Sequence, residues 1–179
     1  MPFTPYHIGP ALALGLVLRG RFHAPTFMVA NVVLDVEPFL AISFGWGGFL
    51  HGIFHTFLVA TCTGAVCGLI MKLLEGRLGG LFRAMKLEGP EYGKVTSTKA
   101  FLTAGVLGCM MHVLFDAPLY ADIRPFFPLV ANPLYSPASA SMVYDACIWL
   151  GIAGLVYWIA LFLGRQGECV KPEDDSQKK

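Results

Sequence analysis

Long apolar stretches alternate with short polar ones along the chain. The clearest, Phe49 to Leu74, has about 26 residues and would be roughly 39 Å long as a helix at 1.5 Å per residue. Four others run from Pro5 to Leu18, from Thr26 to Phe44, from Ala100 to Tyr120 and from Ser141 to Leu163. Since about 20 apolar residues cross a bilayer as a helix, this pattern predicts an all-α integral membrane protein, a compact bundle of about five transmembrane helices. The first stretch is short for a full crossing.

The polar stretches define the connections. Glu75 to Lys99 is predicted to be a loop that contains a short amphipathic helix, Leu81 to Leu87, on the membrane surface. Ala121 to Ser139 is rich in proline and is either a lid or a plain connector. Arg165 to Lys179 is charged and predicted to be a disordered tail, which leaves residues 1–164 as a single transmembrane domain.

Composition supports the membrane assignment. Hydrophobic residues make up 55% of the chain, charged residues 14%, and the mean hydropathy is +0.61. The net charge of +1 offers no basic face for nucleic acid. Four of the five cysteines lie inside apolar stretches, as small hydrophobic residues do. We therefore expect a multi-pass protein of the cell membrane, and the composition leaves its oligomeric state open.

Lysine and arginine are distributed unevenly between the two sides of the predicted bundle. They cluster after the first, third and fifth stretches, whereas Arg124 alone follows the fourth. Because cytoplasmic loops carry the excess of Lys and Arg, this bias predicts an N-terminus outside and a C-terminus inside.

Seven ionisable residues fall in the outer halves of four different apolar stretches. His51 and His55, four residues apart in the third stretch, are predicted to share one face of its helix. The other five are His7 in the first stretch, Asp35 and Glu37 in the second, and His112 and Asp116 in the fourth. This common depth and side predicts one site facing the outer side of the membrane. His23, in a basic loop on the opposite side, is expected to be a surface residue.

The chemistry of these residues favours a divalent metal. A carboxylate at the centre of a bilayer costs roughly 2.5–3.5 kcal/mol, and no Lys or Arg lies at the depth of Asp35, Glu37 and Asp116 to neutralise them. Mixed imidazole and carboxylate ligands suit Zn²⁺ best here, with Mn or Fe as alternatives, and one or two ions. The ionisable residues of each stretch, taken alone, have a simpler explanation, such as a hydrogen-bonded His–Asp pair or a helix end exposed to water. Four such sets of residues at one depth favour a metal site.

The order of these motifs resembles the membrane-bound metal-dependent hydrolase family, also described as LexA-binding, inner-membrane-associated hydrolases. The resemblance rests on His7, Leu34-Asp35-Val36-Glu37, His51-Gly52-Ile53-Phe54-His55-Thr56 and His112-Val113-Leu114-Phe115-Asp116, and covers about two-thirds of the chain. Two details depart from the family pattern. His51 and His55 are four apart where five is common, and Glu37 precedes proline where the family commonly has Asp followed by His.

The resemblance implies a membrane-embedded hydrolase that cleaves a phosphoester or ester, like a phospholipase or a phosphatase. All seven residues are then candidate metal ligands, Asp35 is a candidate bridge between two ions, and Glu37 and His7 are also candidate general base and acid. A site at headgroup depth implies a membrane lipid or lipid-linked substrate. Arg124, Tyr144 and Asp145 are candidate contacts for its headgroup, Arg124 because a guanidinium suits phosphate.

Two other functions remain open. A divalent-metal or proton transporter would use the same residues as transit ligands, but it requires polar residues through the inner half of the bundle, and Leu58 to Ile70 is almost wholly apolar there. A structural membrane protein with a structural metal would have no open ligand position beside the ion.

Overall fold

A computed structural model describes residues 5–45, 50–89 and 92–164. These residues form six α-helices and contain no strand: α1 (Ile8–Val17), α2 (Ala24–Val33), α3 (Val36–Phe44), α4 (Phe57–Ala84), α5 (Thr98–Asp116) and α6 (Ala140–Leu163). Single turns of 3-10 helix occur at Pro5–His7, Ile53–His55, Tyr92–Lys94 and Pro137–Ser139. The prediction of an all-α bundle is confirmed. The predicted tail, Arg165 to Lys179, lies outside the described residues.

Four helical segments of the described chain are long and apolar enough to cross a membrane. They are Ala24–Phe44, which comprises α2 and α3, then Phe57–Ala84, Thr98–Asp116 and Pro137–Leu163. The fifth predicted helix, α1, is apolar but shorter. This architecture is that of a compact multi-pass helical membrane bundle.

The start of α4 differs from the sequence-based prediction and matters for the site. The Thr56 hydroxyl caps the helix by accepting a hydrogen bond from the Val59 N–H at 3.2 Å, so α4 begins at Phe57. His51 and His55 therefore precede the helix, and the prediction that they share one helical face is wrong. Gly52, between them, has backbone angles of φ −91° and ψ −147°, which belong neither to a helix nor to an extended strand.

The end of α4 also differs from the prediction. The helix continues through Glu75 to Ala84, so the first ten residues of the predicted polar loop are helical. The prediction of a separate surface helix from Leu81 to Leu87 is also wrong, because Leu81 belongs to the last turn of α4. Packing of Phe82 and Gly79 into the bundle sustains the helix through a glycine-rich stretch that would be weak in isolation.

Glycines allow the helices to approach closely. A Cβ on Gly64 of α4 would overlap the backbone of Gly105 on α5, and one on Gly68 would overlap the backbone of Phe101. Gly108 contacts the backbone of α2 in the same way. Small residues at helix interfaces are typical of membrane bundles, where close backbone packing drives association.

The core of the bundle lies between α2, α4 and α5. Phe101, Ala104, Cys109 and Val113 of α5 are completely buried. Helix α6 lies at the periphery, packs mainly on α1 and leaves most of its large apolar side chains exposed. Exposed apolar residues such as Trp149 and Leu163 suit a surface that faces lipid.

Candidate metal centre

Six of the seven predicted ligands come together at the end of the bundle where α4 begins and α5 ends. They form two groups whose candidate ligand atoms lie within 4.8 Å of one another: one contains His7, Asp35, His112 and Asp116, the other His51, His55 and Asp116. All six are at most 3% exposed. Each buried group could hold a metal ion, and Asp116 belongs to both.

Asp116 is the centre of the arrangement. One carboxylate oxygen, Oδ1, lies 2.9 Å from Nε2 of His7. The other, Oδ2, lies 3.2 Å from Nε2 of His112 and 3.8 Å from Nε2 of His55. Oδ1 of Asp35 lies 3.8 Å from Nε2 of His112.

Different parts of the chain position each of these side chains. His7 ends the 3-10 turn before α1, and its ring stacks on that of His112 with 4.0 Å between centroids. Asp35 lies at the break between α2 and α3. His112 and Asp116 are one turn apart on the buried face of α5, as their spacing predicts.

Three of the histidines bind an acceptor through Nδ1. Nδ1 of His55 lies 2.9 Å from Oε2 of Glu37, Nδ1 of His51 lies 3.0 Å from Oδ1 of Asp122, and Nδ1 of His112 lies 2.7 Å from the Asn31 carbonyl oxygen. An ionised carboxylate or a carbonyl only accepts hydrogen bonds, so each Nδ1 carries a proton. In the neutral ring, Nε2 is then a bare acceptor, which is the form that ligates a metal.

The geometry at the centre requires a positive charge. Nε2 of His55 and Nε2 of His112 lie 3.3 Å apart, and Oδ2 of Asp116 is close to both. Three acceptor atoms directed at one another in a buried space repel unless a cation or a proton lies between them. Burial lowers the pKa of His55 below its ordinary value, although the hydrogen bond to Glu37 acts in the opposite direction. The lowered pKa favours the neutral ring.

Glu37 lies behind His55 and outside both groups. Besides Nδ1 of His55, its carboxylate accepts the Gly52 N–H at 3.1 Å and lies 3.5 Å from the Phe54 nitrogen. A Cβ on Gly52 would overlap this carboxylate, so any larger residue there would have to displace the Glu37 side chain. Glu37 thus fixes both the ring of His55 and the backbone that carries it.

Sequence reasoning missed Asp122, which holds His51 as Glu37 holds His55. Its Oδ2 accepts the His51 backbone N–H at 3.0 Å, and its Oδ1 binds the ring. Burial raises the pKa of Asp122, but the hydrogen bonds from His51 lower it more, so it lies below its ordinary value. Asp122 lies in the proline-rich loop, where an acid does not stand out.

The remaining predicted site residues are distributed around the centre. Arg124 lines a cavity of about 190 Å³ with His51, Thr56 and Asp122. The ring of Tyr144 packs edge-on against Tyr6, the neighbour of His7, with 5.0 Å between centroids. Asp145 is exposed on α6 and belongs to neither group.

A second cavity, of about 530 Å³, lies between α3 and the 50–54 segment. Its walls are mainly apolar side chains of α3 and of the segment before α4, including Leu40, Leu50 and Phe54. Glu37 is the one acidic residue in its lining, and Gly52 lines both cavities. Two cavities therefore lie beside the candidate metal centre, one with the charged groups of Asp122 and Arg124 in its lining and one with Glu37.

His23 is not the surface residue that the sequence predicts. Its side chain is completely buried, and its ring stacks on Phe101 with 4.1 Å between centroids.

The chain matches no protein-family model, no curated protein and no solved structure.

Proposed function

We propose that this protein is a membrane-embedded metal-dependent hydrolase that cleaves a phosphoester or ester of an amphiphilic substrate. The observation that carries the proposal is the convergence of the Nε2 atoms of His7, His55 and His112 on Asp116, with Nδ1 of His55 and of His112 each bound to an acceptor. The hydrogen bonds that fix the outer nitrogen of a metal-binding histidine are a regular part of metal sites. The resemblance of the motifs to membrane-bound metal-dependent hydrolases belongs to this proposal.

Zn²⁺ is the metal we propose, with one ion in each group and Asp116 shared between them. Four imidazoles with two carboxylates are a ligand set for Zn, Mn or Fe rather than for Ca or Mg. Metal bound there would lower the pKa of a water and polarise the oxygen of the scissile group. The candidate ligands are buried, and in a site that excludes water the charges of a metal and its ligands interact more strongly than in solution.

Glu37 and Asp122 act as positioning residues in this proposal. Each carboxylate holds one imidazole in the tautomer that leaves Nε2 bare. We assign His7 as a ligand, because its Nε2 faces Asp116 inside the first group. This role for Glu37 replaces its expected use as a ligand or a base.

The two cavities support an amphiphilic substrate. Arg124 provides a guanidinium for a phosphate in the smaller cavity beside His51. The larger, apolar cavity suits a hydrocarbon chain. We propose a phospholipid or a polyprenyl phosphate, presented from the outer leaflet according to the orientation predicted from Lys and Arg.

Helix packing argues against transport along the interface between α4 and α5. Below the centre these helices touch through the backbones of Gly64 and Gly105, and again through Gly68 and Phe101. Contacts between backbones leave no room for water or ions between the two helices.

The test is metal analysis and hydrolysis with the purified protein. We expect the Zn²⁺-loaded protein to release the headgroup or phosphate from lipid substrates in detergent or vesicles, and His55→Ala and Asp116→Ala to lose both metal and activity. Arg124→Gln should keep its metal and show a raised KM. Full metal occupancy in both ligand variants would overturn the ligand assignment. Metal flux into vesicles without hydrolysis would replace this proposal with transport.

A further inference from the structure

A second buried cluster lies at the other end of α4. It contains His23 from the turn before α2, Glu75 from α4 and Glu88 from the turn after α4, with candidate ligand atoms within 4.8 Å of one another. Glu75 is about 20 residues from His55, or roughly 30 Å along a helix. This cluster is therefore separate from the metal centre described above.

Glu88 is directed into the bundle and lacks hydrogen-bond partners there. Its side chain is 3% exposed, and neither carboxylate oxygen has a hydrogen bond among the described residues. Its nearest cationic group, Nη1 of Arg83, is 3.9 Å from Oε2, and the Arg83 side chain is 58% exposed. A buried carboxylate without hydrogen bonds is costly unless a cation or a proton compensates it.

The turn that carries Glu88 is held in place by contacts from other parts of the chain. Arg19 donates to the Lys86 carbonyl at 3.2 Å, and the indole of Trp158 donates to the Met85 carbonyl at 2.7 Å. Leu87 is buried beside Glu88. The inward direction of Glu88 is thus built into the fold.

His23 lies beside Glu75 in this cluster. Thr26 N–H donates to Nδ1 of His23 at 3.3 Å, so the ring proton is on Nε2, which lies 3.0 Å from Oε2 of Glu75. Burial lowers the pKa of His23 to about 4, so this ring is neutral and does not balance the charge of the carboxylates. The histidine tautomer here is opposite to that in the metal centre, where Nε2 is bare.

We propose that Glu75 and Glu88 form a second divalent-cation site beside His23, whose Nε2 lies 3.0 Å from Oε2 of Glu75. Because the ligands are carboxylate oxygens, the site suits a hard cation such as Mn²⁺ better than the imidazole-rich centre does. A cation there joins α4 to the turn that follows it and stabilises the end of the bundle. This proposal does not depend on the proposed hydrolase activity.

The test is Mn²⁺ binding to the full chain in detergent, measured by equilibrium dialysis and electron paramagnetic resonance. To isolate the second site, the measurement is made in an Asp116→Asn background, which disables the shared ligand of the first centre. We expect one bound Mn²⁺ in that background, its loss on adding Glu88→Gln, and a rise in melting temperature with Mn²⁺ only when Glu88 is present. Asp145→Asn, which also replaces an acid by its amide but at an exposed position on α6, is the matched control and should leave Mn²⁺ binding unchanged.

The rival explanation is a proton shared between the two carboxylates. Burial, with a further contribution from Glu75, raises the pKa of Glu88 to about 7. If a proton alone occupies the cluster, Glu88→Gln will be as stable as its parent or more so, and Mn²⁺ binding will be equal in the two proteins. That result would overturn the proposal, and equal binding by a Glu75→Gln variant would do the same.

Discussion

Two carboxylates beside the candidate metal centre, those of Asp122 and Glu37, each bind both a histidine ring and a backbone N–H. Asp122 accepts hydrogen bonds from both the ring and the backbone N–H of His51, and Glu37 binds the ring of His55 and the Gly52 N–H. One side chain thus fixes the direction of a ligand and the path of the backbone that carries it. Removing either group should affect metal affinity without removing a ligand.

Asp122→Ala is the direct test of this role. We expect metal affinity to fall about 10- to 100-fold, because His51 loses the acceptor that fixes its tautomer and ring orientation. Competition with a chelator of known affinity measures the change, and Asp145→Ala serves as the control. An unchanged affinity would show that the hydrogen bonds of Asp122 do not support the site.

The sequence indicated the ligands better than their supports. His7, Asp35, His112 and Asp116 stand out because each is ionisable within an apolar stretch, where such a residue is costly. Asp122 lies in a polar loop, 71 residues from His51, where an acid is ordinary. Asn31 contributes only its backbone carbonyl to His112, which no side-chain pattern can reveal.

Among the helices, the apolar pattern predicted five helical segments, with α2 and α3 as one, but it placed both ends of α4 wrongly. Apolar character continues from Phe49 into the helix without a break, but Thr56 caps α4 and leaves His55 outside it. At the other end, glycines and charges suggested a loop, whereas packing of Gly79 and Phe82 into the bundle sustains the helix to Ala84. Hydropathy indicates which stretches of the chain avoid water. The ends of a helix depend instead on capping residues and tertiary contacts.

The glycine contacts between α4 and α5 predict an asymmetric pair of substitutions. Gly64→Ala should destabilise the protein by about 1–3 kcal/mol or more, since the new methyl would meet the backbone of Gly105, which cannot turn aside as a side chain can. Gly76→Ala, on the same helix, meets nothing within 4 Å and should be neutral or stabilising by up to about 1 kcal/mol. Thermal unfolding in detergent compares the two, and equal melting temperatures would contradict the packing described here.

Across the protein, the candidate metal centre joins segments that are far apart in the chain. Its ligands come from the start of α1, the α2–α3 break, the segment before α4 and the end of α5. Metal removal by a chelator should therefore lower the melting temperature, since bound metal stabilises the folded state. The same treatment should lower the melting temperature of His55→Ala by less, since only a cation at the proposed second site remains to be removed. An equal loss in both proteins would indicate that the stabilising metal is not bound at the first centre.

The orientation of the bundle is a prediction from its Lys and Arg residues. Green fluorescent protein fused to the C-terminus should fluoresce, because the predicted C-terminus is inside, where this reporter folds. A matched fusion in the 121–136 loop should be dark. The reverse pattern would place the metal centre at the inner leaflet, and the geometry of its ligands would be unchanged.

Helix α6, peripheral in the bundle, supplies no ligand to either cluster: the metal centre needs the chain only from His7 to Asp116, with Asp122 as its last support. During synthesis, all of these groups leave the ribosome before α6 does. The proposed metal centre can therefore assemble while α6 is still being translated. Helix α6 then docks on α1 at Gly9 and Gly154 and completes a bundle whose chemical groups are already in place.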